Sequence, residues 1–97
     1  MLEKNLEKYF VSEIKKLGGL CYKFVSPGNS GVPDRIVVLP GVIHFVELKT
    51  DRGVVSPLQK RQIKKLNDLG QRTWVLYGFE DVEKFINILK LERCKWV

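Results

Sequence analysis

Residues 35–39 (RIVVL) and 42–49 (VIHFVELK) are two short apolar runs that meet at Pro40-Gly41. Runs of this length, apolar at successive positions and rich in β-branched residues, read as strands in the middle of a sheet with both faces covered. Pro-Gly suits the two central positions of a type II turn, so the runs are expected to fold back on each other. Paired positions in such a hairpin have numbers that sum to 81, which sets Asp34 across from Glu47. Directly opposed residues project from one face of the sheet. Glu47 and Lys49, two apart, share that face, and Leu48 points the other way. The open end of a buried hairpin is thereby predicted to carry two acids and an amine on one spot. A bulge or one-residue slip at the turn would scatter them.

Two carboxylates about 5 Å apart repel by roughly 3 kcal/mol at an effective dielectric of about 20. A shared proton, the Lys49 ammonium or a divalent cation would each relieve that repulsion. A hard cation such as Mg²⁺ is commonly held by one or two carboxylates, with water and phosphate oxygens completing its shell. It neutralises a scissile phosphate and activates an attacking water, while a nearby lysine orients that water or stabilises charge developing on phosphorus. Acid, acid and lysine on one face are therefore suited to phosphodiester hydrolysis.

The rest of the chain supplies a frame for that hairpin. Leu2, Leu6, Phe10, Ile14 and Leu17 recur at helical spacing, so residues 2–17 are predicted to form an amphipathic helix that ends at Gly18-Gly19. Residues 20–25 (LCYKFV) read as a strand, and Pro27 to Gly31 as a loop. Ser56-Pro57-Leu58-Gln59 joins an N-cap serine, a first-turn proline and a glutamine at the third helical position, a helix-start signature. The helix it opens is predicted over 57–69, with Leu58, Ile63, Leu66 and Leu69 inward and Lys60, Arg61, Lys64 and Lys65 outward. Residues 72–77 (RTWVLY) read as a fourth strand. Glu80 and Asp81 open a last helix, where acids suit the helix dipole, with Val82, Phe85, Ile86 and Leu89 facing the core. Helix, three strands, helix, strand, helix is the order of an α/β fold, a small mixed sheet flanked by helices.

Ninety-seven residues suffice for one core, so residues 1–97 are expected to form a single domain. No apolar run approaches the ~20 residues of a bilayer span, and MLEKNLEKYF has no apolar signal region. Both features point to the cytoplasm. Cys21 and Cys94 have no metal-ligand spacing, which argues against a zinc site or a disulfide framework. The formal net charge of +6 favours a polyanionic partner.

Pro33-Asp34 before one strand and Glu47-Leu48-Lys49 at the end of the next resemble the PD-(D/E)XK nuclease motif. GGLCYKFVSPGNSGVPDRIVVLPG, then HFVELKTDRGVVSPLQKRQ and the strand WVLY, are similar to the VRR-NUC branch, in particular its small stand-alone bacteriophage-type members. The likeness spans Leu2 to about Leu89. It implies a restriction-endonuclease-like core and an endodeoxyribonuclease dependent on Mg²⁺ or Mn²⁺. It also implies branched DNA such as Holliday junctions as substrate, a homodimer as the working unit, and a bacterial or phage-infected host cell as the setting. Carried over by position, Asp34 and Glu47 would be metal ligands and Lys49 the catalytic lysine. The family adds an acid from its first helix, for which Glu7 is the candidate and Glu3, one turn earlier, the alternative. Gln59 matches a glutamine found beside the active site, and a capping box accounts for it equally well.

Lys23, Ser26, Arg52, Lys60, Arg61 and Lys64, with Lys65, are candidate DNA contacts; a solvated helix face and plain loops are the simpler reading. The loops 26–31 and 50–55 flank the predicted site. His44 shares a face with Val46 and Leu48, away from Glu47, and receives no catalytic role. Trp74 and Phe85 read as core. Two other functions suit the same residues: a DNA-binding module of this fold without turnover, or a nuclease for flaps or linear duplex. Intact Asp34, Glu47 and Lys49 favour turnover, because binding alone does not require that constellation.

Overall fold

The computed structural model describes residues 2–93. Along them run α1 (Glu3–Lys16), β1 (Leu20–Lys23), β2 (Arg35–Leu39), β3 (Val42–Lys49), α2 (Pro57–Asp68), β4 (Arg72–Tyr77) and α3 (Gly78–Glu92). The predicted order is observed, and the expected bounds of β2, β3 and β4 hold. The first strand is shorter than expected and stops at Lys23.

The four strands lie in the order β1-β2-β3-β4. β1, β2 and β3 are antiparallel neighbours, and β4 runs parallel to β3 after the α2 crossover. Arg35 pairs with Val46, Val37 with His44 and Leu39 with Val42, so the hairpin sum of 81 holds along the whole ladder. Gly41 has φ +74°, the positive value that a type II turn needs at its third residue. The turn introduces no slip.

This register sorts the strand side chains into two sets. Val37, Leu39, Val46 and Leu48 pack with Leu6, Phe10 and Ile14 of α1 and with Val82, Phe85, Ile86 and Leu89 of α3 in one core. Each such side chain contributes roughly 1.5–3 kcal/mol when fully buried, which is what holds both helices to the sheet. The opposite face, which carries Ile36, Val38, Ile43 and Phe45, is only partly covered, and Ile43 is exposed. Cover by helices on both faces, expected from the apolar strands, therefore holds for one face only. α2 packs against β4 at the sheet edge, and none of its residues is buried. Leu58 and Leu69, expected inward, are exposed; Ile63 and Leu66 are half-buried. A helix that crosses from β3 to its parallel neighbour covers that edge and leaves β1 and β2 bare.

His44 belongs to the core set, as its alternation predicts, and is 1% exposed. Trp74 Nε1–H donates to its Nδ1 at 2.9 Å, and Phe85 meets the ring edge-on. Burial, helped by the nearby Arg72 charge, holds its pKa below the usual histidine value. Neutral and distant in face from Glu47, it is a packing residue. His44→Phe is expected to cost about 1–2 kcal/mol in urea denaturation, because Trp74 loses its acceptor.

Candidate active site

At the open end of the hairpin Glu47 is buried, 1% exposed, on the face opposite the α1–α3 core. Its Oε2 accepts a hydrogen bond from Gln59 Nε2 at 2.9 Å and lies 3.2 Å from Lys49 Nζ. Its Oε1 is buried and has no hydrogen-bond partner among the described residues. Asp34 continues the ladder just beyond Arg35. Its carbonyl accepts from Phe24 N–H at 2.8 Å and its Oδ2 from Leu48 N–H at 3.0 Å, so it is tied to both neighbouring strands. The predicted convergence of Asp34, Glu47 and Lys49 is thus the observed one.

The Glu47 carboxyl is pushed up to about 7, first by burial and then by the Asp34 charge; Lys49 offsets part of this. A buried carboxylate oxygen without a donor is rare, and a second acid beside it adds repulsion. Two carboxylates, one with a spare buried oxygen, are the donor set that a hard divalent cation takes.

Local chain geometry holds these groups. Ser56 caps α2: its hydroxyl accepts from Gln59 N–H at 3.2 Å, and its own N–H donates to Gln59 Oε1 at 2.9 Å. Gln59 therefore serves the capping box and Glu47 together, where the sequence left the two roles as alternatives. Gly31, at φ +87°, lies against the first turn of α2; a methyl group there would sit 2.7 Å from the Leu58 carbonyl carbon and 2.9 Å from Gln59 N. Gly53 lies on the Lys49 stem, where a methyl group would come within 3.1 Å of Lys49 Cβ. Sequence reasoning did not single out either glycine. Both stand in loops where a glycine has many ordinary reasons to occur.

Other predicted residues fall elsewhere. Glu7 Oε1 accepts from Arg35 Nε at 3.2 Å and from its terminal nitrogen at 3.1 Å. Arg35 is next to Asp34 in the chain, but strand alternation turns it to the α1 side, where it captures the glutamate. The expectation that Glu7 joins the acidic pair is not met. Among the described residues no group of three or more acids, histidines and cysteines is arranged to hold a metal. Glu3 is exposed one turn earlier. Lys23 pairs with Arg35 in register and so projects from that same far face. Lys60, Arg61, Lys64 and Lys65 are exposed on α2, with Lys64 paired to Asp68 at 2.8 Å. Arg52 is exposed in the loop after Lys49, and the Ser26 hydroxyl accepts from Asn29 Nδ2 at 3.0 Å within its own loop. Burial pushes the half-buried Cys21 thiol up to about 11, away from reactivity; Cys94 lies outside the described residues. Among the described residues no helix is long and apolar enough to cross a membrane.

Three antiparallel strands extended by a parallel fourth, with an acid before the second strand and Glu-Leu-Lys closing the third, define a PD-(D/E)XK-type nuclease fold. No family model matches the chain. Over 75 residues it is 51% identical to "Putative nuclease p44" of Acyrthosiphon pisum secondary endosymbiont phage 1, a match covering 76% of this chain and 81% of that protein. A solved VRR_NUC domain superposes with TM-score 0.83 at 37% identity, over 88% of this chain and 94% of the other. The Archaeoglobus fulgidus Holliday junction resolvase Hjc shares the fold, with TM-score 0.59 at 17% identity over 77% of this chain and 67% of its own. The chain belongs to the VRR-NUC family of nucleases.

Proposed function

We propose that this protein is a metal-dependent endodeoxyribonuclease that cuts branched DNA in the cytoplasm and works as a homodimer. The observation that carries the reading is the meeting of Asp34, Glu47 and Lys49, with a buried spare oxygen on Glu47. Asp34 and Glu47 would hold Mg²⁺ or Mn²⁺. When bound, the ion supplies Lewis acidity, lowering the pKa of water and neutralising phosphate charge. Lys49 shares the spot with Glu47 and orients the attacking water or stabilises charge on phosphorus. Gln59 keeps Glu47 Oε2 engaged. Glu7, bound to Arg35, is assigned to holding that guanidinium on the α1 side of the sheet.

Arg52, Lys60 and Arg61 supply phosphate contacts, with Lys64 after it leaves Asp68; Ser26 and Lys23 are outer candidates. Phosphate contacts set affinity and position and carry little sequence preference. One site per chain cuts one strand, so paired incision of a junction needs two copies, and two-fold pairing is the commonest solution. The fold shared with a Holliday junction resolvase supports a branched substrate.

The sheet face that α2 leaves bare is the contact we assign to the second copy. Leu20, Val38 and Ile43 form one row across it, and Tyr22, Ile36 and Phe45 the next. None is charged, and Leu20, Tyr22 and Ile43 are 50%, 57% and 48% exposed. The largest contiguous apolar patch on a soluble protein, on the order of 300–600 Å², is often functional, and larger ones mark interaction sites. An uncharged patch on a basic chain pairs best with itself, and two such faces stack about 10 Å apart. Sedimentation is expected to give a dimer for wild type and a monomer for Tyr22→Glu combined with Ile43→Glu. A wild-type monomer at concentrations that support cleavage would remove the dimer.

A panel of four-way junction, flap, splayed arm and linear duplex, with Mn²⁺ or with chelator, tests the activity. Cleavage of the junction ahead of the duplex, lost in chelator, is the expected result. Retention of DNA with no cleavage of any substrate would make the protein a binding module instead.

A further inference from the structure

We propose that Ser56 is a positioning residue, acting through its backbone N–H on Gln59, and that this contact decides which oxygen of Glu47 stays open. The inference rests on the metal-binding reading above. A glutamine amide has two ends of nearly the same shape and opposite character, a donor and an acceptor. Side-chain shape alone does not choose which end meets Glu47. The start of α2 makes that choice. Ser56 N–H only donates, so it takes the carbonyl end of Gln59, at 2.9 Å. The amino end is then turned to Glu47 Oε2, also at 2.9 Å.

Lys49 meets the same Oε2 at 3.2 Å, so both donors converge on one oxygen. The other, Oε1, is left buried and without a hydrogen-bond partner among the described residues. A flipped amide would set carbonyl against carboxylate and face Ser56 N–H with a second donor. The close approach of Gly31 to Leu58 and Gln59 N leaves the first turn of α2 little room to shift and restore the contacts. Oε1 is thereby the oxygen presented to a cation, and a peptide N–H outside the acidic pair selects it.

The two roles of Ser56 separate by substitution. Ser56 has φ −70°, the value a proline ring imposes, so Ser56→Pro removes the N–H without turning its own backbone. Ser56→Ala removes the hydroxyl and keeps the N–H. The probe is Mn²⁺ alone, titrated calorimetrically into the full chain, with circular dichroism to verify folding. Ser56→Ala is expected to melt earlier yet bind Mn²⁺ within about twofold of wild type, whereas Ser56→Pro and Gln59→Leu weaken binding by about tenfold or more. Equal Mn²⁺ affinity in the folded Ser56→Pro and Ser56→Ala proteins overturns the proposal. Should Ser56→Pro fail to fold, hydrogen exchange decides. A Ser56 amide proton protected in wild type and freed in Gln59→Leu supports it, and one already free in wild type overturns it. A wild-type protein that binds no Mn²⁺ removes the metal reading itself and this inference with it.

Discussion

Lys49→Ala is expected to lower DNA cleavage at saturating Mn²⁺ by about 10²–10⁴-fold, the range lost with a proton-transfer group or a charge-stabilising donor. The lysine is 16% exposed at the side chain, its stem lies against Gly53, and its ammonium sits 3.2 Å from Glu47. Substitution deletes the cation and leaves the strand intact, so circular dichroism and retention of DNA in gel shifts should stay close to wild type. Removal of Lys49 also strips Glu47 of the charge that restrains its upward shift, which weakens metal binding at neutral pH. Saturating metal separates that effect from the loss of the amine in the reaction. Unchanged turnover would sink the catalytic assignment. Lys49→Arg should not restore wild-type rates, because a planar guanidinium cannot replace a compact ammonium packed this closely.

Glu47→Gln should give the largest change in stability, and its sign depends on pH. The folded carboxyl is pushed to about 7 from an ordinary 4.5, so the native state holds a proton that the unfolded chain has released between those values. Stability therefore falls as pH rises from about 4.5 to 7 and is level above, at a cost on the order of 3 kcal/mol. Glutamine carries no such cost. In chelator, urea denaturation should find Glu47→Gln more stable than wild type at pH 8, with the advantage vanishing near pH 4.5. A variant less stable than wild type at pH 8 would show that Lys49 and Gln59 already compensate the buried charge. The same proton opposes metal binding, so wild-type cleavage at sub-saturating Mn²⁺ should drop by about tenfold for each pH unit below 7.

The site was legible in the sequence because a hairpin is a local device. Pro40-Gly41 fixes the turn, the turn fixes the register, and the register alone brings Asp34 across from Glu47. His44 could be set aside for the same reason, since alternation needs only neighbours in the chain. Contacts between distant segments were harder. Glu7 looks available on an amphipathic helix, and only the packing of α1 on the sheet reveals that Arg35 reaches it first. Leu58 and Leu69 have the right helical period for burial, but period does not report how much sheet a helix covers. Gln59 was read as either a cap or a neighbour of the site, and the fold makes it both a cap and a partner of Glu47. A capping box is visible in four residues, whereas its link to Glu47 needs the crossover to be folded.

The bare sheet face has a geometric consequence of its own. Phe24, Asp34 and Glu47 form the third row of that face, next to Tyr22, Ile36 and Phe45. Rows are about 7 Å apart along the strands, so the acidic row stands about 10 Å from the middle of the two apolar rows. Copies paired about a two-fold axis through that middle, with their strands antiparallel, would hold their acidic rows roughly 20 Å apart, at opposite ends of a molecular calliper. Strand rise would then determine the gap between the two incisions, and lengthening the strands by one pair of residues would widen it.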